Sequence, residues 1–375
     1  MKQIWKMWWA WPLLLLSCGE AAHTPSTRTL QVNLKEATPV SWQELFARME
    51  VIPLETNDNC LLMSIDKIRA YKDSLYVFDE RRQALYVFGE EGGFVRQISR
   101  RGQGPGEYTR ISDFVLDNER KEIWLLAPYG YCLAYGLGGN YLRKTELPAK
   151  PNYQSITILP DGNYALWSCV EEEEEGITLT DMAGAYLNGY WHNDRIIDFM
   201  QLKPFYEYEG RAYFATAFDN PVYEVTSDTL KPAYRWDFGD RNVDAQKLAP
   251  YLDIANSSER NRQLLEALEN GALPFCMERQ SENNRFYYVA LRPGVGRDRA
   301  WINVFYDKQE DRPYVFEETS EGIPVRPILL TDTYVLSVLQ AEDFPSLRHI
   351  LPADEYASLT ARDEEDNPCL LKLYF

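Results

Sequence analysis

"DSLYVFDERRQALYVFGEEGGFVRQISRRGQGPGEY", residues 73–108, is the stretch whose reading decides the fold. Its first part carries two runs of β-branched and aromatic residues, "LYVF" at 75–78 and again at 85–88, and then a glycine pair before "FVRQI". That is the grammar of strand, short loop, strand, glycine turn, strand. The closing "RRGQGPGEY" poses a choice between a phosphate cradle and a turn. A dinucleotide fingerprint needs G-x-G-x-x-G after a strand and at the start of a helix. Here Gly102, Gly104 and Gly106 fall at alternate positions with Pro105 among them, and the next residues, "TRISDFVLD", are strand-like. A phosphate loop would need Lys and then Ser or Thr behind its last glycine, where Glu107 and Tyr108 stand. The block therefore reads as the connection from the outer strand of one unit to the inner strand of the next. Its glycines permit the change of direction and Pro105 stiffens it.

The same grammar recurs. "KEIWLLAPYGYCLAYGLGGNYLRKTEL", from Lys121, aligns with the first unit, with Ile123 in the place of Leu75 and Tyr141 in that of Phe94. The offset is about 48 residues, within the range of propeller blades. A third unit starts at "SITILPDGNYALWSC" with Asp161-Gly162 as its hairpin signal. "AYFATAFDNPVYEVTSDTLKPAYRWDFG" supplies a fourth, "RFYYVALRP" with "AWINVFYDKQEDRPYVFEE" a fifth, and "RPILLTDTYVLSVLQAED" with "NPCLLKLYF" a sixth. The expectation is an all-β, six-bladed β-propeller. Each blade buries its faces only against its neighbours, so the ring must close, and "VIPLE" at 51–55 is the expected donor of a strand to the C-terminal blade. Two segments are expected to be helical. "SWQELFARM" carries Ser41 and Glu44 in capping-box spacing. Residues 244–271, with leucines at helical spacing, form an insertion between the fourth and fifth blades.

The chain opens with Lys2 and Lys6, an apolar run too short to span a bilayer, and Leu15-Leu16-Ser17-Cys18, a lipobox. The domain reading is a lipoprotein signal peptide at 1–17, lipid attachment at Cys18, a tether over 18–40 and one propeller over 41–375. Of six cysteines, Cys18 is assigned to the lipid. Cys60, Cys132, Cys169, Cys276 and Cys369 are an odd, scattered set without CxxC spacing, expected as buried free thiols. A formal charge of −18 without a basic stripe argues against nucleic acid as a partner. The glutamates at 171–175 read as a solvated hairpin tip rather than a calcium loop, since they lack its Asn, Asp and Gly.

The run from "LYVFDERRQALYVF" through "GQGPGEY" to "ISDFVLD", with "NPCL" at 367–370, resembles the NHL-repeat type of propeller. More closely, it resembles the six-bladed β-propeller lipoproteins of anaerobic gut bacteria, a largely uncharacterised family. That resemblance implies the fold and a cell-envelope address on the outer membrane, periplasmic or surface-exposed.

For chemistry, the chain has only His23, His192 and His349. His23 lies in the tether, which leaves too few for a three-histidine zinc site. No G-x-S-x-G elbow accompanies either remaining histidine, and no cofactor is expected. The candidate ligand contacts are Arg101 and the loop aromatics Tyr129, Tyr131, Tyr190 and Trp191, because such rings stack on sugars or anchor partners. The cluster "FYEYE" at 205–209 belongs with them. The functional expectation is a lipid-anchored binding or interaction module for a glycan, a peptide or an envelope protein. The alternative is a glycan-active hydrolase or lyase with carboxylates around the central channel.

Overall fold

The computed structural model describes residues 27–149, 152–168, 175–192, 203–294 and 301–375. Six antiparallel sheets form the blades of a propeller. Blade 1 runs Lys67–Tyr71, Ser74–Asp79, Ala84–Gly89, Phe94–Ile98. Blade 2 runs Asp113–Asp117, Glu122–Ala127, Tyr131–Gly136, Tyr141–Glu146. Blade 3 runs Tyr153–Ile158, Tyr164–Ser168, Glu175–Thr180, Tyr186–His192. Blade 4 comprises Phe205–Tyr208, Arg211–Phe214, Pro221–Val225 and Leu230–Asp237, and blade 5 Cys276–Glu282, Phe286–Arg292, Ile302–Asp307 and Arg312–Phe316. Blade 6 takes Pro327–Leu330, Tyr334–Leu339 and Cys369–Tyr374 from the C-terminus and its outermost strand, Arg48–Pro53, from the N-terminus.

Strand periodicity explains the stacking. Successive side chains point to opposite faces of a strand. In "LYVF", Leu75 and Val77 join Ile52, Leu336 and Leu370 on the blade 6 side, whereas Tyr76 and Phe78 join Phe114, Leu125 and Tyr135 of blade 2. Both faces are dry, which is why the middle strands read as unbroken apolar runs rather than as an alternation. Each such side chain contributes about 1.5–3 kcal/mol of burial.

The ring closes as the sequence expects, with Arg48 opposite Tyr374 and Pro53 opposite Cys369. Asn367 rivets the seam. Its Nδ2 donates to the carbonyls of Glu55 and Cys60, both at 2.6 Å, and its Oδ1 accepts from the Leu62 N–H at 2.7 Å.

Three readings need correction. Residues 28–31 are not tether: Arg28–Gln31 adds a fifth, parallel strand to blade 4 against Leu230–Asp237. Leu30 and Val32 alternate inward there and pack with Trp236. The propeller thus begins ahead of residue 41. The innermost strand of blade 4 is Phe205–Tyr208, and that of blade 5 is Cys276–Glu282, upstream of the segment read as the start of that unit. The expected helices are Trp42–Leu45, with its Ser41/Glu44 capping box, and Ala245–Leu252 with Ser257–Glu269 between blades 4 and 5. A further excursion within blade 6 holds the helix Ala353–Thr360.

Residues 100–108 connect blades 1 and 2. Tyr108 is buried; its hydroxyl donates to the Gln83 carbonyl at 2.7 Å and accepts from the Arg100 N–H at 3.2 Å. Glu107 turns back to accept from the Gly104 N–H at 2.8 Å, in space that a side chain at Gly102 would occupy. Gly106 has φ +74°, and its carbonyl accepts from the Tyr135 hydroxyl at 2.7 Å. No backbone N–H cradle for phosphate is formed, because the N–H groups of Gly102, Gly104, Glu107 and Tyr108 are used inside the turn.

Candidate functional site at the channel mouth

The innermost strands line the channel, and their polar side chains link blades across it. Lys67 of blade 1 pairs with Asp113 of blade 2 at 2.7 Å and donates to the Phe114 carbonyl at 2.8 Å. The other Asp113 oxygen accepts from the Ser155 hydroxyl at 2.8 Å and the Ile156 N–H at 3.0 Å on blade 3. Burial pulls the Lys67 pKa down to about 8, with Asp113 opposing the fall. For Asp113 burial alone would raise the pKa, but Lys67, Lys203 and the hydrogen bonds outweigh it and hold it below the usual carboxylate value. Glu207 of blade 4 accepts from Thr157 of blade 3 at 3.0 Å and lies 3.8 Å from Arg69 of blade 1.

Three clefts meet at one end of this channel. The first, ≈ 480 Å³, is lined by inner-strand residues of blades 1, 4, 5 and 6. It shares Asp66 and Glu80 with a second of ≈ 570 Å³, which contains Arg81, Arg101, Arg110 and Tyr129. Arg279 joins it to a third of ≈ 640 Å³, which contains Trp301, Arg326 and Met63, and Arg81 joins the second to the third. The walls are built from connections between blades and from turns between the second and third strands of a blade. Residues 100–108 are one such connection.

The carboxylates of the first two clefts are engaged. Asp66 accepts from the Ser64 hydroxyl at 2.6 Å and the Glu80 N–H at 2.7 Å. Glu80 faces Arg110 at 3.5 Å and Lys203 at 3.8 Å, and Glu278 pairs with Arg292 at 2.9 Å. Arg279 donates to the Pro327 carbonyl at 2.8 Å and stands 5.5 Å over the Trp301 ring. Burial lowers its pKa below the usual arginine value.

Of the residues proposed from sequence, Arg101 and Tyr129 share one cleft, and Tyr129 is 66% exposed. Tyr131 packs against the interior between blades 1 and 2 with the Lys144 ammonium 4.2 Å from its ring. Tyr190 fills the gap between blades 3 and 4, its hydroxyl donating to the Ser227 carbonyl at 3.0 Å. Phe205 and Tyr206 are buried on the inner strand of blade 4. The side chains of Trp191 and His192, together with Cys18, His23, Cys169 and residues 171–174, lie outside the described residues. Among the described residues, no three His, Cys, Asp or Glu side chains are grouped to hold a metal, and no helix is long and apolar enough to cross a membrane. Arg81, Arg279 and Trp301 were missed from sequence. For Arg279 the one signal is a pair of charged residues, Glu278 and Arg279, inside the strand "CMERQSE"; Arg81 and Trp301 sit between strands and carry none.

Fold and site together define a six-bladed β-propeller with a polar, cation-bearing basin at one end of its channel. Residues 27–374 match the model of the domain of unknown function DUF4934, and the chain belongs to that family. Similar solved structures include a protein of Bacteroides fragilis described as exported, 22% identical, with TM-score 0.74 over 92% of this chain and 98% of the other. A DUF4221 family member from Bacteroides vulgatus is 11% identical, with TM-score 0.55 over 88% and 96% of the two chains. At these identities the likeness is one of fold. No curated protein matches the chain.

Proposed function

We propose that this chain is a lipid-anchored envelope protein, attached through Cys18 to the outer membrane, that binds a ligand in the basin at the channel mouth. The observation that carries this reading is the meeting of three clefts at one end of the channel, with Arg101, Arg279, Tyr129 and Trp301 on their walls. Concave, partly apolar sites with a few convergent polar groups are where propellers and other scaffolds take ligands. The lipobox supports the address, as does the likeness to a protein described as exported. The glycan-active alternative gains no support from the channel carboxylates, which face cations or donors rather than one another.

The test is a thermal-shift panel of glycans and peptides on wild type and Tyr129→Ala. A ligand at a hundredfold excess over its Kd adds about 2.7 kcal/mol to the native state. A shift in wild type that shrinks in the variant, at equal melting temperature without ligand, is the expected result. A panel in which nothing shifts overturns the reading. For the anchor, cells fed an alkyne-bearing palmitate should label wild type and leave Cys18→Ala unlabelled.

A further inference from the structure

The basin is asymmetric in its pairing. Each carboxylate of the two clefts nearest blade 1, namely Asp66, Glu80, Glu207 and Glu278, has a cation or a donor beside it. Three guanidiniums, by contrast, have no ion-pair partner: among the described residues no carboxylate lies within 4.0 Å of Arg279, Arg81 or Arg101. Arg279 is the sharpest case, because it is half-buried, held in place by Pro327 and Trp301, and desolvated with no carboxylate in direct contact, Glu278 and Asp66 acting on it only from beyond ion-pair distance. A guanidinium in that state gains most from an arriving carboxylate, which restores the charge pairing that burial removed.

The three are spread rather than clustered. Arg279 stands where the channel meets the third cleft, Arg81 joins the third to the second, and Arg101 lies in the second near blade 2. Each end of the row has an aromatic ring: Trp301 beside Arg279, and the exposed Tyr129 in the cleft of Arg101. Toward blade 6 the sign reverses, with Glu342, Glu364 and Asp366 on the wall of the third cleft. A ligand with carboxylates at intervals and flat apolar faces between them fits the row and is repelled at its acidic end. A peptide of acidic residues supplies the charges without the faces.

We infer that the basin binds a carboxylate-bearing oligosaccharide, with Arg279 as the anchor for one carboxylate, Arg81 and Arg101 taking others, and Trp301 and Tyr129 stacking on sugar rings. This inference rests on the proposed role of the basin as a ligand site.

Calorimetric titration of the full chain in detergent tests it, with hexagalacturonate, maltohexaose and hexaglutamate as ligands. Hexagalacturonate should bind, more weakly at high salt, and Arg279→Gln should weaken it by about ten- to hundredfold, the worth of a charge-assisted hydrogen bond. Arg81→Gln, which alters a solvent-facing side chain and leaves the melting temperature unchanged, should weaken it severalfold. Silence of hexagalacturonate, or equal binding by wild type and both variants, overturns the inference. Binding of maltohexaose or hexaglutamate in its place overturns this inference while the basin remains a ligand site. If none of the three ligands binds and the wider panel is silent as well, both readings fall.

Discussion

Replacing Gly106 with alanine tests whether residues 100–108 are a turn built for geometry. Gly106 has φ +74°, and a Cβ there would lie 2.6 Å from Cγ and 3.0 Å from Cβ of Tyr141. The left-handed backbone costs a residue with a side chain about 1 kcal/mol. Tyr141 cannot retreat freely, since its ring packs on Tyr135 at 5.9 Å, and the Tyr135 hydroxyl holds the Gly106 carbonyl. Overpacking of this kind costs about 1–3 kcal/mol, so the total is about 3 kcal/mol. With an unfolding entropy of about 2.1 cal/mol/K for each of about 350 residues, that loss lowers the melting temperature by about 4 °C. Two controls separate the causes. Gly210→Ala carries a φ of +69° with nothing within 4 Å of its Cβ, and should lose only the strain, about 1 kcal/mol. Gly93→Ala also has open space, without the positive φ, and should lose nothing measurable. Denaturant titrations of the three variants read these differences directly. A Gly106→Ala protein no less stable than Gly210→Ala would refute the close approach of Tyr141.

Further outcomes are expected elsewhere in the ring. Asn367→Ala strands the buried Cys60 carbonyl and the Leu62 N–H, at about 1–3 kcal/mol for each group left unsatisfied, and leaves the Glu55 carbonyl with only the Cys60 thiol as donor; denaturant titration should show it among the most destabilising single changes. Asp113→Asn leaves the Lys67 ammonium buried without its partner and should cost about 3–5 kcal/mol at neutral pH. Because the folded-state pKa of Asp113 lies below its unfolded value, its contribution is complete above the ordinary carboxylate pKa and is lost as pH falls through the lowered one. The acid limb of the stability curve should therefore be shallower in the asparagine variant. Cys60, Cys132, Cys276 and Cys369 are buried, and burial raises the pKa of each. A thiol reagent followed by mass spectrometry should leave all four unmodified until the protein is unfolded.

The blades were legible where their strands are dry on both faces, as in "LYVF" and "EIWLLA", and where glycine turns separate them. They were illegible where a strand lines the channel. "CMERQSE" is polar because Glu278 and Arg279 line the channel cleft while Gln280 and Glu282 bond to Trp236 and Lys308, so it carries no hydrophobic period to read. "FYEY" looked like a ligand-binding cluster, although Phe205 and Tyr206 are buried parts of an inner strand. "RTLQ" was too short to separate from the polar stretch before it, and the burial of Leu30 is explained only by a cluster that includes Trp236, more than two hundred residues away. The basin shows the same limit more strongly. Arg81 comes from blade 1 and Arg279 and Trp301 from blade 5, and they face one basin only when the ring is closed, so no local spacing announces them. Arg101 and Tyr129 were accessible because they sit on loops marked by glycines.

Closure by Arg48–Pro53 and the last strand also orders events in time. The hydrogen bonds from Asn367 to Glu55 and Cys60 span 312 and 307 positions, so the seam is among the least local contacts in the molecule and among the slowest to form. Arg48–Pro53 must wait, unpaired, until the final residues of the chain arrive. A chain cut short before Cys369 would leave that strand without a partner and Tyr334–Leu339 with an open edge, a form exposed to proteolysis and to pairing with other chains. A closed ring therefore reports that the chain has been made as far as the strand ending at Tyr374.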